Sequence, residues 1–247
     1  MPTLDAASRQ VLEALLDEAR GHLDAGAVEP AGRVLAEAVA MAGADPAVRA
    51  VQGHVALAAG DDAGARAHFE AAIERPDALT AEQAADAHYA LGCVHERAGH
   101  FSATVSAFLT VRRLDAAIDR QQGVGNPADL EFIDATAQEV LGRLPDDLAA
   151  RLAHVPIALE PRPGAGVVAE GFDPRALGMF EGAEEGQAGA SEVWVRRPTR
   201  IVLFTSNLLA DAASDAELAE QIEVTLLHEI GHFFGLDEDG VAALGLA

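Results

Sequence analysis

The chain has 247 residues, half of them hydrophobic, and 40 acidic residues against 17 basic ones, all of them Arg, for a formal charge of −23. That length and apolar content support one or two domains with a sizeable core, while the negative charge repels a phosphate backbone and argues against nucleic acid or an anionic membrane surface as partner. A lone Cys93 cannot form an intramolecular disulfide, no apolar run reaches the roughly 18 residues of a membrane span, and the start MPTLDAASRQ lacks a secretory pattern, so a cytoplasmic location is expected.

In chain order, the first signal is a repeat. Gly26, Gly60 and Gly99 each open a similar pattern, at spacings of 34 and then 39. Five residues on come Ala31, Ala65 and Thr104; nine on, Leu35, Phe69 and Phe108; twelve on, Ala38, Ala72 and Val111. Seven residues before each glycine stand Ala19, Gly53 and Gly92, small enough to let two antiparallel helices approach closely. The longer second spacing falls in RPDALT (75–80), a breaker-rich turn, after which Thr80 and Gln83 form a capping box for the next helix. Period and residue types resemble tetratricopeptide repeats, most clearly in ADAHYALGCVHERAGHFSATVSAFLTVRRLD (85–115). The resemblance implies a helical solenoid over residues 1–122, with three helix pairs from about 12 to 116 and a groove for a peptide or protein partner. His88, His95 and His100, clustered with Cys93, occupy slots where repeat helices place packing or surface residues, and Cys93 reads as a small buried apolar side chain.

RQQGVGNPADL (120–130) has the composition of a linker, which puts a second domain at 127–247. Splitting at residue 126 leaves 18 acids and 10 Arg before it and 22 acids and 7 Arg after it, so the second part is the more acidic. LEFIDATAQEVLGRL (130–144) has helical periodicity, HVPIALE (154–160) reads as a strand, and EGAEEGQAGAS (181–191) as a loop. EVWV (192–195) and RIVLF (200–204) read as two further strands or as a strand and an extended approach, with Trp194 anchoring the small domain's core or covering its sheet. The overall expectation is α+β, a helical array followed by a small α+β domain with a short mixed sheet.

Near the end stands TLLHEIGHFFGLDEDG (225–240). Ser214 and Glu217 start a helix and Gly235 ends it, predicting a helix over 215–234 with the motif in its last two turns. Residues 228 and 232 lie one turn apart on one face, so both imidazoles can reach a single ion, with Glu229 beside them as base rather than ligand. Random placement in this composition yields HExxH only about 0.03 times per chain. A catalytic zinc takes a third protein ligand. Gly235 permits a positive-φ turn that brings the acids of LDED back toward the metal; Glu238 matches the offset of the HExxHxxGxx(H/D) pattern of metzincins, with Asp237 and Asp239 as rivals.

Residues 128–247 resemble the minimal zincin-like metallopeptidases of bacteria, through RIVLF, an acidic amphipathic helix, TLLHEIGHFFGLDED and, more distantly, DPRALGMFEG (173–182). The resemblance implies Zn2+ held by His228, His232 and Glu238, Glu229 as catalytic glutamate, and a peptide or protein substrate. The methionine turn of longer metzincins is absent, since the methionines, at 1, 41 and 179, all precede the motif. Ile201–Phe204 is a candidate edge for holding substrate or, alternatively, a fully paired core strand; His154 and Arg200 are candidate oxyanion partners. The expected function is zinc-dependent peptide hydrolysis with the repeats recruiting a partner. The alternative is a non-catalytic interaction protein whose zinc site is structural or vestigial.

Overall fold

The computed structural model describes residues 4–75, 78–182, 199–237 and 240. Contacts divide the chain into two compact units, Met1–Ile118 with Ala165–Phe172, and Asp119–Gly164 with Asp173–Ala247.

The first unit is helical. α1 (Ala6–Asp24) and α2 (Val28–Ala42), α3 (Pro46–Ala58) and α4 (Asp62–Ile73), and α5 (Ala81–Arg97) and α6 (Phe101–Gln122) follow one another as three hairpins. Each hairpin turns at a glycine with positive φ, Gly26 (70°), Gly60 (78°) and Gly99 (71°), a conformation that costs a residue with a Cβ. The turns also close the same way: the amides of Ala27, Asp61 and His100 donate to the carbonyls of His22, Ala56 and His95, the long bond of a Schellman motif. Helix starts are capped by Asp5, Asp45, Asp61 and Thr80, the last in a complete capping box with Gln83.

The small residues before each turn have a packing reason. A Cβ on Gly53 would lie 2.6 Å from the Phe69 ring and one on Gly92 2.5 Å from Phe108, so a larger residue at either place would push the two helices apart. Leu12, Leu16, Ala19, Leu35 and Val51 fill the first core cluster, and Phe69, Ala87, Leu91 and Val94 the second. A short helix, α9 (Ala165–Ala169), is grouped with this unit, in which Gly171 (φ 98°) lies against the Phe101 ring. The chain leaves α6 through Gly123 and Gly125, both with positive φ, and enters α7 (Pro127–Gly142) at Asn126, a capping residue with proline directly behind it.

The second unit is built on a three-stranded mixed sheet of order β1-β3-β2, where β1 is Ile157–Glu160, β2 Gly178–Glu181 and β3 Arg200–Phe204. β3 runs parallel to β1 (Ile157↔Ile201) and antiparallel to β2 (Gly178↔Leu203). Because side chains alternate across a strand, Ile201 and Leu203 share one face with Ile157, Leu159 and Phe180. That face packs on Ile133, Ala137 and Val140 of α7 and on Leu218, Ile222, Leu226, Ile230 and Phe233 of α11 (Asp215–Phe233). α8 (Asp146–Leu152) contributes Leu152 to the same core, and α10 (Thr205–Asp211) follows β3 directly.

Of the two readings of Ile201–Phe204, sheet edge or fully paired strand, the sheet order gives the second. β3 is the central strand, paired on both sides, and cannot offer a free edge. The edge strand on the α11 side is β2, in a stretch without strand periodicity. The expected strand 192–195 and Trp194 lie outside the described residues.

A buried polar chain fixes the approach to β2. Arg162, whose side chain is 8% exposed, meets Asp119 with Nε and Nη2 at 2.5 and 2.7 Å and donates from Nη1 to Oδ1 of Asn207. Asn207 in turn donates from Nδ2 to the carbonyls of Pro174 and Ala176, just ahead of Gly178.

Candidate metal centre

α11 places the motif. The Ser214 hydroxyl accepts from the amide of Glu217, and Asp215 and Glu217 set negative charge at the positive end of the helix dipole. The far end closes at Gly235 (φ 80°): its amide donates to the carbonyl of His232 and that of Leu236 to Gly231, a Schellman motif that reverses the chain immediately after the histidines.

This reversal has a chemical consequence. It brings the carbonyl of Leu236 to 3.0 Å from Nδ1 of His232. A carbonyl only accepts, so Nδ1 carries the proton and Nε2 keeps its lone pair, the arrangement by which histidine ligands are oriented in metal sites. That Nε2 faces Nε2 of His228 at 3.0 Å, the rings nearly perpendicular at 78°. Two nitrogens at tetrahedral angle around zinc, each at 2.0–2.1 Å, stand about 3.3–3.4 Å apart. A few tenths of an ångström of opening seats the ion, so the pair fits zinc.

Glu229 is 7% exposed and lies against the start of β2. A Cβ on Gly178 would be 3.1 Å from both Cγ and Oε1 of Glu229 and 2.6 Å from Cγ2 of Thr225, so a glycine at 178 is what leaves room for this carboxylate. Farther along, Phe180 of β2 meets Phe233 of α11 edge-on, with ring centroids 6.0 Å apart. β2 therefore follows the histidine-bearing end of α11.

The edge of β2 can be read from the ladder. Phe204 donates its amide to the carbonyl of Leu177. Alternation along an antiparallel pair then turns the backbone groups of Met179 and Glu181 toward β3 and those of Gly178 and Phe180 outward. Among the described residues no strand covers that outer side.

Residues 152–246 match the family model of zincin-like metallopeptidases. The match begins in the last residue of α8 and takes in the whole sheet and α11; the helical hairpins lie outside it. No curated protein matches the chain.

Within the zincin-like segment, the other candidates fall out as follows. Glu238 and Asp239 lie outside the described residues. Asp237 is exposed, and its Oδ1 accepts from the amide of Gly240 at 2.9 Å. Among the described residues no group of three or more potential ligands comes together. Arg200 is engaged by Glu181 at 2.5 Å and Glu160 at 2.8 Å, which raise its pKa, Glu181 first, and it stands level with Glu181, three residues along β2 from the Glu229 contact. His154 is exposed, edge-on to Phe233 with centroids 6.1 Å apart. Sequence reasoning missed Gly178 and Asn207; the stretch DPRALGMFEG held the one visible trace of the former.

Proposed function

We propose that the chain is a zinc-dependent peptidase whose catalytic unit is the zincin-like segment and whose helical hairpins, read as tetratricopeptide-like repeats, recruit a protein or peptide partner. The observation that carries this reading is the facing Nε2 pair of His228 and His232, with the tautomer of His232 fixed by Leu236, beside a buried Glu229.

His228 and His232 hold the ion, with a carboxylate of the 237–239 acids, Glu238 first, as third ligand. Zinc there supplies Lewis acidity, which lowers the pKa of water toward about 7 and polarises a carbonyl. Glu229 accepts a proton from the attacking water at a carboxylate oxygen and delivers it to the leaving amine. The outward amides and carbonyls of Gly178 and Phe180 hold an extended peptide as an added strand, keeping its scissile bond in register with Glu229. Thr225 and Gly178 confine the carboxylate so that it does not swing away between the two transfers.

Glu229→Gln is expected to keep its zinc and lose hydrolysis of unstructured peptides by about 10²–10⁴-fold, while His228→Ala loses one equivalent of zinc. Unchanged zinc content in His228→Ala would overturn the site. Full zinc occupancy without peptide turnover in the wild-type chain would leave the hairpins as the working part and the zinc as a structural element.

A further inference from the structure

The third hairpin carries a second pair of facing imidazoles. His95 is the third residue from the end of α5 and His100 the second beyond its cap, the two positions whose side chains a Schellman motif brings into contact. That contact is ordinarily apolar. Here the two Nδ1 atoms stand 3.4 Å apart, with ring centroids at 5.6 Å.

The fold does not require histidine at either place. The equivalent turns at Gly26 and Gly60 close by the same amide-to-carbonyl bond with His22 and Ala27, and with Ala56 and Asp61, in those positions. Nor is the pair a packing element, since His100 is exposed and His95 half-buried.

The geometry points to a second cation site, in which Nδ1 of His95 and Nδ1 of His100 chelate one borderline first-row ion of the Zn2+, Ni2+ or Cu2+ type, with water completing its coordination. The separation matches the roughly 3.3–3.4 Å that two imidazole nitrogens span around such an ion, closer than the pair in the catalytic unit. A cavity of about 250 Å3, walled by Asp62, Val94 and Ala98, opens beside the rings and has room for the waters. Nearby positive charge is offset: Arg97 is paired with Asp62 at 2.7 Å and Arg66 lies 3.9 Å from Glu70.

The test uses the full chain with His228→Ala and His232→Ala, so that it does not depend on the catalytic site. Calorimetric titration with Zn2+ is expected to show one equivalent bound, lost on adding His95→Gln or His100→Gln with the helical circular dichroism unchanged. Long-range 1H–15N spectra of the same chain with both imidazoles intact should shift Nδ1 of His95 and of His100 on adding Zn2+. Zinc uptake that survives both glutamine substitutions, or Nδ1 signals that stay in place at saturation, would overturn the assignment.

Discussion

Gly178→Ala probes how the sheet edge and the Glu229 carboxylate are held together. The new Cβ would stand 2.6 Å from Cγ2 of Thr225 and 3.1 Å from Cγ and Oε1 of Glu229, all on a well-packed face. Neither neighbour is a free flexible end: Thr225 is 8% exposed on α11, and Glu229 is 7% exposed. Overpacking of this kind costs about 1–3 kcal/mol, a fall in Tm of roughly 3–10 °C for a chain of this size. The strain is relieved by moving β2 away from α11 or by turning the Glu229 carboxylate, and on the proposed function either displaces Glu229 from a peptide held along β2. Zinc content should remain as in wild type, because the substitution touches neither imidazole, while hydrolysis falls. Thr225→Ser in the same chain removes the atom in closest approach and is expected to recover most of the stability and part of the turnover. Calorimetric melting, elemental analysis and a peptide assay on the three chains read these quantities separately. Wild-type stability and turnover in Gly178→Ala would refute the claim that this contact confines Glu229.

Other expectations follow from the same contacts. Gly235→Ala forces a side chain into φ near 80°, at a cost of about 1–2 kcal/mol, and should weaken zinc binding by loosening the Leu236 carbonyl that orients His232; isothermal titration with Zn2+ measures it. Asn207→Leu removes the donor to Pro174 and Ala176 and is expected to raise KM for extended peptides more than it lowers zinc content, because β2 loses its anchor and the histidines do not. His54, His68, His88 and His95 all have pKa values lowered mainly by burial. A lowered folded pKa means that the unfolded chain binds protons first, so this stability is present above about pH 6.5 and is lost as the pH falls below it. The Tm of the His228→Ala, His232→Ala chain should drop between pH 7 and 5, and His54→Gln should flatten the slope.

The parts of the molecule legible in the sequence were those governed by local rules. Gly26, Gly60 and Gly99 announce turns because only glycine takes their φ cheaply, and Gly53 and Gly92 announce close helix approach because a ring sits where a Cβ would go. Ser214 and Gly235 bracket α11 for the same reason: caps are set by the few residues around them. What escaped were features set by tertiary pairing. β2 has four residues and a glycine at its start, so its strand identity comes from β3 beside it and not from its own pattern. β3 looks like any apolar strand whether it stands at the centre or the edge of a sheet. Asn207 and Arg162 are ordinary polar residues until the fold carries them 45 positions along the chain to one another.

The buried arginine also decides where the chain can be cut. An expression fragment begun at residue 127, the start of α7, would omit Asp119 and with it the carboxylate that meets Nε and Nη2 of the nearly buried Arg162. Removing one partner from such a pair costs about 3–5 kcal/mol, a large share of what a small domain has in total. A fragment meant to isolate the second unit therefore has to carry the last turn of the preceding helix with it.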